Sequence, residues 1–392
     1  MVDHTGNKAE TLTHAAYCTG PVQLVYFLCA LENLGIQPNR CTIVLYAHAD
    51  NSDLKYCMFQ IGHELGIQIL EPRELPLHGV GEVMLCRFGF PFLRTTRSNR
   101  HETQRVLWYC RGIPVSRPAY DCLKRVQPRR VFEYYDGYRS PIVSRLYSKN
   151  SFHLREICEP SRFIKQCILW KLMTPDRYFM PSASLWQQYA PVKARSSTSY
   201  IPVEVIQHKI RLVGGILDDL NTQESCRWEP PGVVLATGMF AERQRDITMA
   251  DEVRMYEDLL STVRSVSRKV SILTKTHPRT SVEKMRRLET VCARYDTQLF
   301  TGQQLIEFTL EKSGRRDIVV IGPPTTALLN TLSFGYGTAL CLSQQFMASY
   351  LGDGYANGYL VSEDHMLMAA AGVVTLNSLS QLAERLEAQK VK

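Results

Sequence analysis

Short apolar runs of four to seven residues recur along this chain between stretches of helical spacing, and few of them alternate polar with apolar. A strand that reads as continuously apolar is buried on both faces, which is the condition of a parallel sheet covered by helices on either side. The first series runs HAAYC (14–18), a helical PVQLVYFLCALENLG with Pro21 at its first position and Gly35 past its end, CTIVLYA (41–47), a helix over 53–65 closed by Gly66, and IQIL (67–70). RVLWYC (105–110), a helical piece near 118–125, RRVFEYYDG (129–137), a helical stretch over 160–173 and RYFMP continue it. The second series runs VVLATG (233–238), a helix over 250–268, VSILTK (270–275), a helix over 281–295 with apolar positions 282, 285, 288, 291 and 292, and TQLF. A helix over 303–312, DIVVIGPP (317–324), the helical TALLNTLSFG, TALCLS (338–343) and a last helix over 377–390 complete it.

Strand–helix alternation implies right-handed parallel crossovers, so each series predicts a doubly wound α/β domain. The punctuation WEPPG (228–232) separates them. The expected domains are residues 1–228, residues 229–365, and a terminal segment 366–392 whose helix crosses back to pack on the first domain. Two such sheets bind ligands in a cleft outside their strand carboxyl ends. No GxGxxG follows the first strand, so a phosphate is gripped by other means.

Composition narrows the classes. No uncharged apolar stretch approaches the roughly 18 residues of a membrane helix, and the opening MVDHTGNKAETLTH lacks the basic and apolar regions of a signal peptide. The expected compartment is the cytoplasm, with peripheral contact at the inner membrane face as an alternative. The twelve cysteines form no CxxC and sit mostly in apolar runs, as Cys41, Cys86 and Cys341 do, which predicts small buried hydrophobes and no metal site. Residues 1–210 hold 26 Lys and Arg against 17 Asp and Glu, and the remainder 20 against 21. A basic first half suits an anionic partner, although an ordinary basic surface explains it as well.

Four constellations carry candidate chemistry. Asp136, ahead of Gly137 at the end of an apolar run, suits a general base toward an acceptor hydroxyl, with Glu133 nearby; Asp-Gly is also what a simple turn requires. Lys275, His277, Pro278 and Arg279 follow a strand and suit stabilisation of a phosphate leaving group. Thr325 and Thr326, after Gly322-Pro323-Pro324, open a helix whose first amides and dipole favour an anion, and plain N-capping is the alternative reading. Gly238, after VVLAT, permits close backbone approach of a ligand or simply makes a turn. In chain order these give an acceptor side with a carboxylate, then a donor side that holds a phosphate.

That order, with Tyr135-Asp136-Gly137, His277-Pro278 and Thr325-Thr326 as the motifs, resembles the bacterial sialyltransferases and polysialyltransferases of the GT-B fold, over residues 15 to 345. TGPVQLVYFLCAL is similar to the opening of that family. The resemblance implies two Rossmann-like domains facing across a central cleft, and an inverting, metal-independent transfer from CMP-sialic acid that needs no cofactor. It implies Asp136 as base and His277 assisting CMP departure. Thr325 and Thr326 would hold the phosphate, and Glu307 would face the ribose or cytosine. It also implies a glycan acceptor, a polyanionic sialylated one fitting the basic half, and a place in capsule or lipooligosaccharide biosynthesis. The chain departs from the family pattern in having Tyr135 at the first acidic position, which leaves Glu133 as an alternative base, and Thr-Thr after Pro-Pro where the family favours Ser.

Rival readings keep much of this pattern. Transfer of another CMP-activated ulosonic acid, of Kdo or legionaminic type, keeps every motif. A CDP-polyol phosphotransferase of the teichoic-acid type usually has an acidic residue where Pro323-Pro324 stand. An anionic-glycan binding protein that retains the fold is the non-enzyme alternative. No aromatic-basic motif of an RNA-binding kind is present, so nucleic acid is not an expected partner.

Overall fold

The computed structural model describes residues 14–18, 20–45, 52–70, 198–220, 230–277, 280–300, 306–352 and 371–389, with short strand segments between 109 and 180 and a few residues between 355 and 369. The chain divides into two compact units, Met1–Asn221 and Thr222–Lys392.

In the first unit, β1 (His14–Cys18) leads into α1 (Pro21–Asn33), followed by β2 (Cys41–Leu45), α2 (Ser52–Glu64) and β3 (Gln68–Leu70). Leu24 to Leu31 of α1 are all buried, which is why that helix reads as apolar on every side rather than as a stripe. Gly35 ends it at φ 65°, where Ile36 N–H reaches back to Leu31 O at 2.9 Å, the left-handed cap that its position predicts. Short strands β4 (Tyr109–Cys110) and β5 (Ile113–Pro114) pair with each other. β6 (Arg130–Glu133), β7 (Phe152–Glu156), β8 (Arg177–Met180) and β9 (Thr198–Tyr200) complete a seven-stranded sheet of order β3-β2-β1-β6-β7-β8-β9.

Pairing is parallel from β3 to β6 and between β8 and β9, but β7 runs antiparallel to both neighbours. The expected all-parallel sheet is therefore mixed at this end. An antiparallel neighbour needs no returning helix, whereas a parallel one does. α3 (Val203–Leu220) closes the unit. It buries Ile206, Ile210, Val213 and Leu217 at helical spacing, and Lys209 pairs with Glu32 of α1.

The second unit is a six-stranded, wholly parallel sheet of order β12-β11-β10-β13-β14-β15. Its strands are β10 (Val233–Ala236), β11 (Ile272–Lys275), β12 (Gln298–Phe300), β13 (Ile318–Gly322), β14 (Gly337–Leu342) and β15 (Val374–Leu376). Its helices are α4 (Phe240–Arg243), α5 (Met249–Val266), α6 (Val282–Arg294), α7 (Ile306–Lys312), α8 (Thr326–Ser333), α9 (Gln344–Leu351) and α10 (Leu379–Ala388). Val233, Leu235, Ile272, Val319, Ile321 and Leu340 pack with Met255, Leu259, Leu260 and Val263 of α5, Leu288 and Val291 of α6, and residues of α9 and α10. The alternate residues Val234, Leu273, Val320 and Cys341 are equally buried and face the opposite side, which carries α7 and α8. Strands buried on both faces explain the runs VVLA, ILTK and IVVIG.

The final helix packs Leu382 and Leu386 into the second unit's core beside α5. One expectation is corrected here. In α6, Leu288, Val291 and Cys292 are buried as expected, but Val282 is 65% exposed and Lys284 is buried in its place. Among the described residues no helix is long and apolar enough to cross a membrane.

Candidate functional site

The order of the second sheet fixes where a ligand goes. From β10 the chain winds outward through β11 to β12, then returns to the other side of β10 as β13. The topological switch point therefore lies between the carboxyl ends of β10 and β13, the position where open α/β sheets leave a crevice. Thr237 and Gly238 leave β10 on one side of it; Gly322 leads through Pro323 and Pro324 to Thr325 on the other. β11, with Lys275 as its last residue, is the next strand beyond β10. The register sets Lys275 level with Ala236, and Gly322 level with Cys341. Lys275, Gly238 and the turn from Gly322 to Thr325 thus fall on three adjacent strand ends.

Gly322 is required by packing: a Cβ there would stand 2.7 Å from Ala236 O of the neighbouring strand. With no side chain, β10 and β13 stay close at the switch point. Thr325 caps α8, its hydroxyl accepting from Ala327 N–H at 3.4 Å, so the capping reading is realised. Thr326 opens the helix, and the helix dipole adds a partial positive charge at this end. Pro323 and Pro324 contribute no N–H.

Lys275 shares the sheet face of Leu273 and is nearly fully buried. Its Nζ donates to Thr276 O at 2.8 Å and stands 5.3 Å from the centre of the Phe300 ring. Burial lowers its pKa to about 8, against the upward pull of the Glu307 carboxylate. At neutral pH most of the population carries the charge. Glu307, in the first turn of α7, is also buried; its Oε1 accepts from Asn330 Nδ2 of α8 at 2.6 Å. Burial pushes its pKa up, while the Asn330 bond and the Lys275 charge pull it down. Lys275, Glu307 and Asn330 therefore form one buried polar group behind the strand ends, linking β11, α7 and α8. Asn330 is the member that the sequence did not point to.

Gly238 is held by the protein itself. Its N–H donates to Tyr256 Oη at 2.6 Å, and its carbonyl accepts from Lys284 Nζ at 2.8 Å. A Cβ on it would meet the Phe240 ring at 2.4 Å, so the room that the glycine leaves is filled by that ring. Tyr256, Lys284 and Glu252 were not legible as site residues. Glu252 and Tyr256 are four apart on α5, a spacing that marks a shared face and nothing more.

His277 follows β11 by two residues and is half-buried; its carbonyl accepts from Thr280 N–H at 2.9 Å. Pro278 and Arg279 lie outside the described residues. In the first unit, the same winding rule places a second switch point between β1 and β6. Glu133 is the last residue of β6, in register with His153 of β7, so it stands at that carboxyl end. Asp136 lies outside the described residues, three positions beyond the strand.

No protein-family model matches the chain, and no curated protein matches it. Among solved structures, a GT-B domain of a sialyltransferase from Photobacterium damselae is similar at 10% identity and a TM-score of 0.42, covering 92% of this chain and 97% of that one. MurG of Acinetobacter baumannii is similar at 10% identity and a TM-score of 0.40, covering 97% and 92%. A UDP-GlcNAc 2-epimerase from Neisseria meningitidis, bound to UDP-GlcNAc, is similar at 8% identity and a TM-score of 0.42, covering 96% and 98%. The chemistry below rests on this chain's own residues.

Proposed function

We propose that this chain is a glycosyltransferase that takes a sugar from a nucleotide-activated donor bound at the switch point of its second unit, with CMP-sialic acid as the donor and a glycan as the acceptor. The observation that carries the reading is the gathering of Lys275 and His277 at the end of β11, Gly238 at the end of β10 and Thr325-Thr326 beyond β13, three adjacent strand ends around that point. A cation, an imidazole and a hydroxyl-bearing helix start suit a departing phosphate, because each stabilises negative charge that grows as the glycosidic bond breaks.

In this reading an acceptor hydroxyl attacks the anomeric carbon on the face opposite the phosphate. The new carbon–oxygen bond forms as the bond to the phosphate oxygen breaks, and that bonding pair stays on CMP. The acceptor proton passes to the carboxylate of Asp136 or Glu133. His277 and Lys275 offset the charge on the leaving phosphate, and Thr325 and Thr326 hold it at the start of α8. Glu307 is tied to Asn330 and supports Lys275 from behind.

The test is acceptor-dependent nucleotide release from CMP-sialic acid, CMP-Kdo, CDP-glycerol and UDP-sugars, with sialylated and lactose-type acceptors. Release of CMP from CMP-sialic acid, lost in Asp136→Asn and His277→Ala, supports the reading. Release from CMP-Kdo alone moves the donor to another ulosonic acid. Release from CDP-glycerol alone, or no binding of any cytidine nucleotide, overturns it.

A further inference from the structure

The loop after β10 is fastened from beneath by side chains that the proposed reaction does not use. Lys284, wholly buried on α6, donates to Gly238 O at 2.8 Å, to Glu242 at 3.3 Å, and to Glu252. The second oxygen of Glu252 accepts from Phe240 N–H at 3.2 Å and Ala241 N–H at 2.8 Å. Tyr256 accepts from Gly238 N–H and donates to Glu252 at 3.3 Å. Withdrawing a lysine and a glutamate from water is costly even when they pair, and such a network holds one loop conformation against others.

Peptide geometry says what that conformation presents. The C=O and N–H of one trans peptide point in opposite directions, and the chain has no cis bond among the described residues. Lys284 draws the Gly238 carbonyl inward, so the N–H of Met239, in the same peptide, points away from the network. Among the described residues that N–H has no acceptor, and Met239 is partly exposed. The amides of Gly238, Phe240 and Ala241 are already used. Met239 N–H therefore stands out from the β10 side of the switch point as an uncommitted donor, where Pro323 and Pro324 offer none from the β13 side.

We infer that the Met239 amide donates to an anionic oxygen of the bound donor substrate, and that Lys284, with Tyr256, is the positioning residue that aims it. This rests on the reading that a nucleotide-activated sugar acid binds at this switch point. Two groups of such a substrate carry the required oxygen, the phosphate and the sugar carboxylate, and the probes separate them.

The protein, labelled with ¹⁵N at its twelve methionines, is titrated with CMP, cytidine and free sialic acid, and Met239→Leu identifies the Met239 amide peak. CMP is expected to move that amide proton downfield while cytidine leaves it in place; a shift with sialic acid instead assigns the contact to the carboxylate. Tyr256→Phe, which keeps the ring and the buried ion pair, is expected to lower the melting of the second unit by a few degrees through the lost Gly238 and Glu252 bonds, and to weaken CMP binding several-fold while leaving cytidine binding nearly unchanged. A Met239 peak that stays put while calorimetry shows CMP binding, and that sialic acid does not move either, overturns the inference and leaves the donor reading intact. If neither CMP nor CMP-sialic acid binds, the donor reading fails and this inference with it.

Discussion

Replacing Asn330 with leucine tests whether the buried group behind the switch point is charged as its geometry implies. Asn330 Nδ2 lies 2.6 Å from Glu307 Oε1, and both side chains are buried. A hydrogen bond to a charged partner contributes about 1.5–3 kcal/mol. Leucine fills similar volume, so the cavity component is small and the loss is chiefly that bond, roughly 2 kcal/mol. For a unit of this size that corresponds to a fall of about 4–8 °C in melting temperature. The pH dependence gives a sharper check. Burial holds the folded-state pKa of Glu307 above its unfolded value, and removing the Asn330 donor raises it further. Over the interval between the two values the folded state binds more protons than the unfolded state, so stability falls as pH rises through that window. Asn330→Leu widens the window, and its cost therefore grows from acid toward neutral pH. Lys275 contributes in the opposite sense and elsewhere: its folded pKa of about 8 is lowered, so stability from it rises only between about 8 and its unfolded value of 10.5. Urea denaturation of wild type and Asn330→Leu at pH 5 and pH 7.5 reads the effect. A cost below about 0.5 kcal/mol at pH 7.5, or one that is equal at both pH values, refutes the claim that Asn330 stabilises an ionised Glu307.

Three further outcomes follow from the same geometry. Lys284→Met leaves Glu252 buried and unpaired and is expected to cost about 3–5 kcal/mol, whereas Lys284→Met combined with Glu252→Gln recovers part of that loss; urea midpoints of the single and double variants measure the coupling. Gly337→Ala places a Cβ 2.0 Å from Ile318 O at a φ of 151° and is expected to cost about 3 kcal/mol or to abolish folding of the second unit, seen as loss of its cooperative melt. Thr325→Ala removes the α8 cap at about 1 kcal/mol, and Thr325→Ser restores it; on the proposed function the alanine variant also binds CMP more weakly than the serine variant, by calorimetry.

Sequence periodicity exposed the second unit well because its strands are covered on both faces. VVLA and IVVIG carry no polar side chain, ILTK becomes polar only at its last two positions, and β10, β11 and β13 fall within the runs read from them. The first unit was less legible. Val203–Leu220 carries Gly214-Gly215 in its middle, which reads as a break, yet packing of Ile206, Ile210, Val213 and Leu217 holds it as one helix. Thr198–Tyr200 follows a polar stretch and pairs as an edge strand, where burial imposes little pattern. β15 has only three residues, one of them buried, too few for a period to show.

The candidate site divides along the same physical line. Lys275, Gly238 and Thr325 could be named as candidates because strand ends and helix starts are local features, and the sheet order brings those ends together. Asn330 and Lys284 were missed because their partners are remote: Asn330 meets Glu307 across 23 positions, and Lys284 meets Glu252 across 32 and Gly238 across 46. A lysine four positions before a leucine on an amphipathic helix reads as solvent-facing, and only the fold supplies the carboxylate and carbonyl that make its burial tolerable. The remote partners are also the ones that restrain the strand-end loops. Substitution of Lys284 or Asn330 is therefore expected to disturb ligand geometry through stability, whereas substitution of His277 or Thr326 is expected to change ligand handling while the fold stays intact.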